Sequence, residues 1–328
     1  MEHARVTLGL GCVKLGHPSH GGRRGGARLV HHALDCGVAF FDTADSYGIG
    51  ASEKVLGTAL RGRRDTAVVA TKGGYVFQER GATTRALRRL AAPVLDLAVR
   101  SPGRVALSST AGRSYRQQDF SPRYLRSALE ASLRRLQTDY VDIYQLHGPP
   151  DVCEDEVLGL MAEFKAEGKI RGFGPALEHL DHALDWVGTR AVAHLQVGFG
   201  ILDPEARQVV IPAAEANAVG VIARGVFASG LVAPNSSADD AWLRPGQLGQ
   251  RAAVRALAAE LGVSPLQLAT WFVATTPGVD TLLVGTSSEH HLDEAVRYVR
   301  APSSPEVRDR LVELVGASEG SNGTARPS

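Results

Sequence analysis

Four residues stand out by type and by place. Asp42 ends the run VAFFD, Lys72 ends AVVATK and His147 ends YVDIYQLH, so each ionisable side chain directly follows an apolar run. Tyr47 lies a few residues beyond Asp42. A phenol with a pKa of about 10 is a weak acid at neutral pH, and a neighbouring ammonium stabilises its phenolate. Lys72 supplies that charge, a carboxylate at Asp42 offsets the cost of burying the lysine, and His147 can orient a substrate oxygen by hydrogen bonding. Tyr47 is then the expected proton donor to a carbonyl oxygen as hydride reaches the carbonyl carbon.

Each residue taken singly has a plainer explanation. Asp42, Asp45 and Ser46 suit a turn, a tyrosine before glycine commonly packs with its hydroxyl at the surface, and a lone strand-end histidine is most often structural. A lysine can also run its stem along apolar surface and keep its head in water. Four such exceptions on three successive strands are harder to assign to packing than to one shared site.

The elements that must position them follow from the alternation of short β-branched runs with amphipathic stretches, the pattern of parallel strands joined by helices. Eight strands are expected: Val6 to Leu10, Val38 to Phe41, Ala67 to Thr71, Tyr140 to Leu146, Lys169 to Phe173, Ala193 to Val197, Gly220 to Ala223 and Thr281 to Val284. Most are continuously apolar, as strands covered on both faces should be. The fold class expected is α/β, a single-domain (β/α)8 TIM barrel over residues 1–315, with a disordered tail over 316–328. In such a barrel, polar groups at the C-terminal strand ends share one mouth. Ser121 with Pro122, and Ser264 with Pro265, mark helix starts, and a further helix is expected from Arg251 to Leu261. GHPSHGGRRGG reads as a mobile loop, and the connections Gly73 to Phe120 and Gly225 to Gln247 are long enough to shape a pocket. Tyr75, Phe77, Tyr115 and Arg116 are the pocket candidates there.

Composition narrows the ligand. The 328 residues are 44% hydrophobic and 22% charged with a formal net charge of +1, which supports one large core and offers no broad basic face for nucleic acid. No run of apolar residues is long enough to span a membrane, and MEHARVTLGLG does not read as an export signal, so a cytoplasmic protein is expected. A small-molecule carbonyl substrate fits better than a macromolecular partner, and a monomer is the default. Cys12, Cys36 and Cys153 are far apart and form no CxxC pair, so reduced, buried thiols are expected, with no metal site. The pairs His31/His32 and His290/His291 are adjacent on presumed helices and face different ways. GLGCVKLG lacks the third glycine of a dinucleotide fingerprint, and GGRRGG lacks the ending of a phosphate loop.

FFDTADSYG, followed by SEKVLGTAL, ATKGG, LRRLQTDYVDIYQLHGP and GKIRGFG, closely resembles the aldo-keto reductase superfamily, with the match running from about Val6 to Val299. The resemblance implies a catalytic tetrad at Asp42, Tyr47, Lys72 and His147, with Tyr47 as the acid, and a nicotinamide cofactor lying across the barrel mouth, NADP(H) rather than NAD(H). It places Gln196 at the carboxamide and Phe199 against the nicotinamide ring. Arg224, Gly225, Val226, Phe227 and Gly230 fall in the loop around the pyrophosphate, and Gly285, Thr286 and Ser287 lie near the adenosine phosphate. Three departures are visible. Ala176 and Leu177 replace the usual polar pair at the carboxamide, Ser287 stands where many NADPH users carry a cation, and the hairpin that often closes the barrel bottom is shortened or absent. The activity implied is reduction of an aldehyde or ketone, such as a sugar or another polar metabolite. A sugar dehydrogenase and a cofactor-binding regulatory subunit are the alternatives.

Overall fold

The computed structural model describes residues 6–76, 117–149, 151, 154–230, 232, 243, 246–301 and 303–322. Phe77, Tyr115, Arg116, Cys153 and most of the two long connections lie outside the described residues.

Eight strands pair in parallel in chain order: β1 Thr7–Gly11, β2 Phe40–Asp42, β3 Val68–Gly73, β4 Val141–His147, β5 Ile170–Ala176, β6 His194–Gly198, β7 Gly220–Arg224 and β8 Thr281–Gly285. β1 also pairs with β8, so the sheet closes into a barrel. Each strand runs one to three residues past the end expected from its apolar run. Apolar sequence ends where the barrel mouth becomes polar, whereas the hydrogen-bonded ladder continues through polar and glycine residues. Asp42, Lys72 and His147 are therefore held within strands rather than on the loops after them.

Side chains alternate across a strand, so residues two apart share a face. Phe40, Ala70, Ile143, Ile222 and Leu283 form a buried cluster separate from the large core between strands and helices. This cluster plugs the barrel interior. Gly9 makes room for it, since a Cβ there would come within 2.7 Å of Leu283 and 2.9 Å of Phe40. One step of two residues toward the C-terminal ends brings Asp42, Lys72, Gln145, Arg224 and Gly285 onto the same inward face. The plug and the mouth are thus successive layers of one alternation.

The surrounding helices are α1 Gly22–Asp35, α2 Ala51–Ala59, α3 Pro122–Leu136, α4 Asp155–Ala166, α5 Ala183–Gly188, α6 Val210–Ala216, α7 Gln247–Leu261, α8 Pro265–Ala274, α9 Glu289–Arg300 and α10 Pro305–Asn322. Ser121 caps α3 by accepting from the Tyr124 amide, and Ser264 caps α8 by accepting from the Gln267 amide, each with proline in the first turn. α7 begins at Gln247, one turn before the expected start.

Two expectations change. GHPSHGGRRGG is mostly ordered: a short 3-10 turn covers Pro18–His20 and α1 begins at Gly22. Gly26 serves close packing, because a Cβ on it would press on Val55 and the Gly16 amide. At the other end, α10 continues through 316–322, within the stretch expected to lack structure. GASEGSN contains no proline, and extending a helix already nucleated upstream costs far less than starting one. No single helix among the described residues is long and apolar enough to cross a membrane.

Candidate active site

Parallel pairing sets Asp42 at the end of β2 beside Ala70 of β3, with Lys72 two residues farther along β3. Lys72 Nζ donates to Asp42 Oδ1 at 2.5 Å and to the Thr43 carbonyl at 2.9 Å. Both side chains are almost fully buried, at 1% and 5% exposure. Gly73 lets β3 pass here, since any Cβ on it would collide with the Tyr144 hydroxyl. Burial pushes the Lys72 ammonium below its usual range, and Asp42 opposes that. An ammonium in such a place persists through its partner.

Tyr47 lies on the turn between β2 and α2, where Gly48 and Gly50 take up positive φ. Lys72 Nζ stands 5.4 Å from the centre of its ring, and the ring of His147 meets it edge-on at 6.0 Å. Burial first, then the Asp42 carboxylate, raise the Tyr47 pKa, while Arg224 opposes the rise. Lys72 is paired to Asp42, whose charge opposes it at the phenol.

His147 ends β4. Its Nδ1 lies 3.4 Å from Ser46 Oγ, and the ring of Tyr75 packs edge-on at 4.7 Å. Gln118 donates to the His147 carbonyl at 3.0 Å and fixes the backbone there. Burial, then Lys72 and Arg224, lower its pKa to about 3, so the imidazole is neutral at physiological pH. The Tyr75 hydroxyl donates to Glu178 at 2.6 Å, which holds the ring against His147.

A second buried carboxyl stands behind the tyrosine turn. Asp45 is 1% exposed and neither of its carboxyl oxygens makes a hydrogen bond of ordinary geometry among the described residues. The Ser46 amide lies close enough to oppose the effect, but burial and the neighbouring Glu53 dominate and push the Asp45 pKa up to about 8. Glu53 is itself held by Thr71 at 2.7 Å and Arg135 at 2.5 Å.

The residues expected to meet a cofactor divide into two groups. Gln196 reaches the mouth, but its amide donates to Asp42 Oδ1 at 2.7 Å. Phe199 does not face the mouth: it is fully buried and its ring lies 5.4 Å from that of Phe272. Ala176 and Leu177 are buried, with Ala176 in register with Gln196 and the Leu177 amide donating to the Gln196 carbonyl. Val226 is buried and Phe227 half-buried.

Gly198, Gly225 and Gly285, at the ends of β6, β7 and β8, border open space, where an added Cβ would meet nothing within 4 Å. Gly225 and Gly230 also take positive φ, at 77° and 93°. These glycines leave a backbone shelf beside the mouth. It leads to Thr286 and Ser287, just before the N-terminus of α9, where the positive end of the helix dipole suits an anion. Ser287 Oγ lies 3.1 Å from His20 Nδ1. Shelf and helix end together fit an extended dinucleotide carrying phosphates.

Arg224 is the residue whose place the sequence left least clear. Instead of belonging solely to the loop after β7, it points inward, donates to the Leu177 carbonyl at 2.7 Å, and its charge is felt by Tyr47, Lys72, Tyr75 and His147. The strand alternation could have shown this, since Arg224 lies two residues beyond the inward Ile222.

A cavity of about 770 Å³ opens at the opposite end of the barrel, between Thr7, Phe40, His194, Gly220 and Thr281. None of the four proposed catalytic residues lines it. It lies at the N-terminal ends of the strands, and Tyr298 and Arg308 border it.

The profile of the Aldo/keto reductase family matches residues 7–315. The chain is similar to an uncharacterized oxidoreductase, YqkF, of Bacillus subtilis (strain 168), with 26% identity covering 90% of this chain and 87% of that protein. It is 29% identical to an NADH-specific methylglyoxal reductase of Escherichia coli (strain K12) over 62% of this chain and 56% of that one. A crystal structure of an aldo/keto reductase from Klebsiella pneumoniae in complex with NADP and acetate superposes with a TM-score of 0.67 at 25% identity, covering 94% and 91% of the two chains.

Proposed function

The chain belongs to the aldo/keto reductase family and is an oxidoreductase, and from that premise we propose that it reduces a small aldehyde or ketone to the alcohol, with NADP(H) preferred over NAD(H) and Tyr47 as proton donor. The observation that carries the proposal is the meeting of a buried Lys72–Asp42 ion pair, the Tyr47 ring and the His147 ring at one mouth.

A bound reduced nicotinamide supplies the hydride. Gly198, Gly225 and Gly285 give it backbone to lie on, and the Thr286–Ser287 segment with the first turn of α9 receives a phosphate. A substrate oxygen between Tyr47 and His147 accepts a hydrogen bond from each. In the tautomer in which Nδ1 accepts from Ser46, His147 carries its proton on Nε2 and orients the oxygen without giving that proton up. Tyr47 transfers its hydroxyl proton to the oxygen as the carbonyl carbon is reduced. Lys72 and Arg224 then face the phenolate that Tyr47 becomes, and solvent restores its proton. Burial holds Tyr47 protonated before the reaction, the form that reduction requires.

Titration with NADPH and separately with NADH, followed by quenching of intrinsic fluorescence, tests the cofactor, and turnover on small aldehydes and ketones tests the reaction. Tighter binding of NADPH with turnover is expected, and tighter binding of NADH would overturn the preference. Binding without turnover on any carbonyl would favour a cofactor-binding regulatory subunit. The enclosed Phe199 and the Gln196 amide committed to Asp42 support that second reading, since both leave the nicotinamide loosely held.

A further inference from the structure

The outer face of the barrel carries a second group of donors that the reductase chemistry does not use. His32, in the last turn of α1, and Cys36, its C-cap, are spaced i,i+4 and share one helix face. Asp293 of α9 faces both. His32 Nε2 lies 2.7 Å from Asp293 Oδ1, Cys36 Sγ lies 3.5 Å from the same oxygen, and Sγ and Nε2 are 3.6 Å apart. For a tetrahedral zinc ion the bond lengths require separations of about 3.5 Å for S to O, about 3.6 Å for S to N and about 3.3 Å for N to O. Two of the three edges already have these lengths. The third opens by about 0.6 Å when the direct hydrogen bond gives way to two metal bonds.

We propose that His32, Cys36 and Asp293 form a three-donor site for a divalent cation of the zinc class, bridging α1 and α9 across the seam where β1 meets β8. Thiolate and imidazole together select zinc-class ions over magnesium or calcium. One thiolate and one carboxylate neutralise the double charge. The site is reached from solvent, with His32 30% and Asp293 46% exposed, which leaves the fourth position to water. The helices are tied on either side of it: Arg300 donates to the Cys36 carbonyl at 2.6 Å, and Arg28 pairs with Glu289 at 3.6 Å. Without a cation, the Cys36 thiol donates to Asp293, and burial with that carboxylate keeps it protonated. Binding releases the thiol proton to solvent, shifts the His32 proton that faces Asp293 from Nε2 to Nδ1 by exchange with solvent, and forms one bond each to sulfur, nitrogen and oxygen. The spacing of the cysteines gave no hint of this, because Cys36 and Asp293 are 257 residues apart in sequence. It also corrects the expectation of a buried Cys36, which is partly exposed where Cys12 is fully enclosed.

The test is titration of the full-length, reduced protein with cobalt(II) chloride, read by absorbance. One equivalent should produce a near-ultraviolet thiolate-to-cobalt band with visible bands of four-coordinate intensity, and zinc should displace them. Cys36→Ser should abolish the near-ultraviolet band, and Asp293→Asn should weaken cobalt binding by about tenfold or more. Zinc should raise the melting temperature of the parent but not of Cys36→Ser. Absence of a thiolate band in the parent, or its survival in Cys36→Ser with Cys12 and Cys153 still present, would overturn the proposal.

Discussion

Each end of the barrel holds a buried carboxylate paired with cations, and the two pairs are built differently. At the N-terminal end, Asp142 of β4 accepts from Arg64 at 2.8 Å, from the Val69 amide of β3 at 2.9 Å and from Arg171 of β5 at 2.8 Å. Both oxygens are used, and the bonds lace three neighbouring strands together. At the C-terminal end, Asp42 holds a lysine, a point charge without the fork of a guanidinium, and a phenol and a neutral imidazole stand beside it. Among the described residues the Tyr47 hydroxyl makes no hydrogen bond. A buried ion pair by itself therefore does not indicate chemistry. What separates the mouth is an acid with unspent hydrogen-bonding capacity beside a pair that keeps charge in place.

Lys72→Met should have the largest effect on this contrast. It leaves Asp42 buried without its cation, so we expect a loss of about 3–5 kcal/mol in stability together with loss of turnover. Urea unfolding and steady-state rates would measure the two, and a stable, active variant would break the comparison. Asp142→Asn should cost about 1–3 kcal/mol, because its arginines lose charged hydrogen bonds, while kcat per folded molecule stays as in the parent. A fall in kcat comparable to that of Lys72→Met would mean that the two ends are not separate in function.

The pH dependence sharpens the contrast further. Asp45 has its pKa raised to about 8, so the folded protein binds this proton more tightly than the unfolded chain. Its carboxyl therefore costs stability progressively as pH rises from the ordinary carboxylate range toward 8. Asp45→Asn should remove that slope and raise Tm at pH 8 by about 2 °C or more, with little change near pH 4. The smallest effect belongs to His147, whose pKa is lowered to about 3. The neutral ring favours folding above the ordinary histidine pKa, and that contribution is lost as pH falls from about 6.5 toward 3. His147→Gln should flatten this part of the acid unfolding curve. The turnover profile of the parent should show no histidine limb near pH 6.5.

Much of this was legible in the sequence. Eight apolar runs specify eight strands because strands covered on both faces must be apolar, and Asp42, Lys72 and His147 were visible as interruptions at their ends. What escaped depended on direction and on distant pairing. The apolar runs could not show that the ladders continue through Asp42, Gly73, Ala176 and Arg224, since hydrogen bonding of the backbone does not depend on side-chain polarity. Gln196 is committed to Asp42, a partner 154 positions away that no local pattern encodes. Arg224 was placed in a loop by alignment, whereas the two-residue alternation from Ile222 points it at Tyr47. Glycines in GHPSHGGRRGG suggested freedom and instead permit contact.

The most direct test is Tyr47→Phe, which removes one oxygen and leaves the ring packed beside His147. NADPH binding should remain as in the parent, because the shelf and the α9 terminus do not involve the phenol. Turnover of a small carbonyl that the parent reduces should fall by about 10²–10⁴-fold. Turnover within a few-fold of the parent, with cofactor bound as tightly, would contradict the assignment of Tyr47 as the acid and with it the central account of this site.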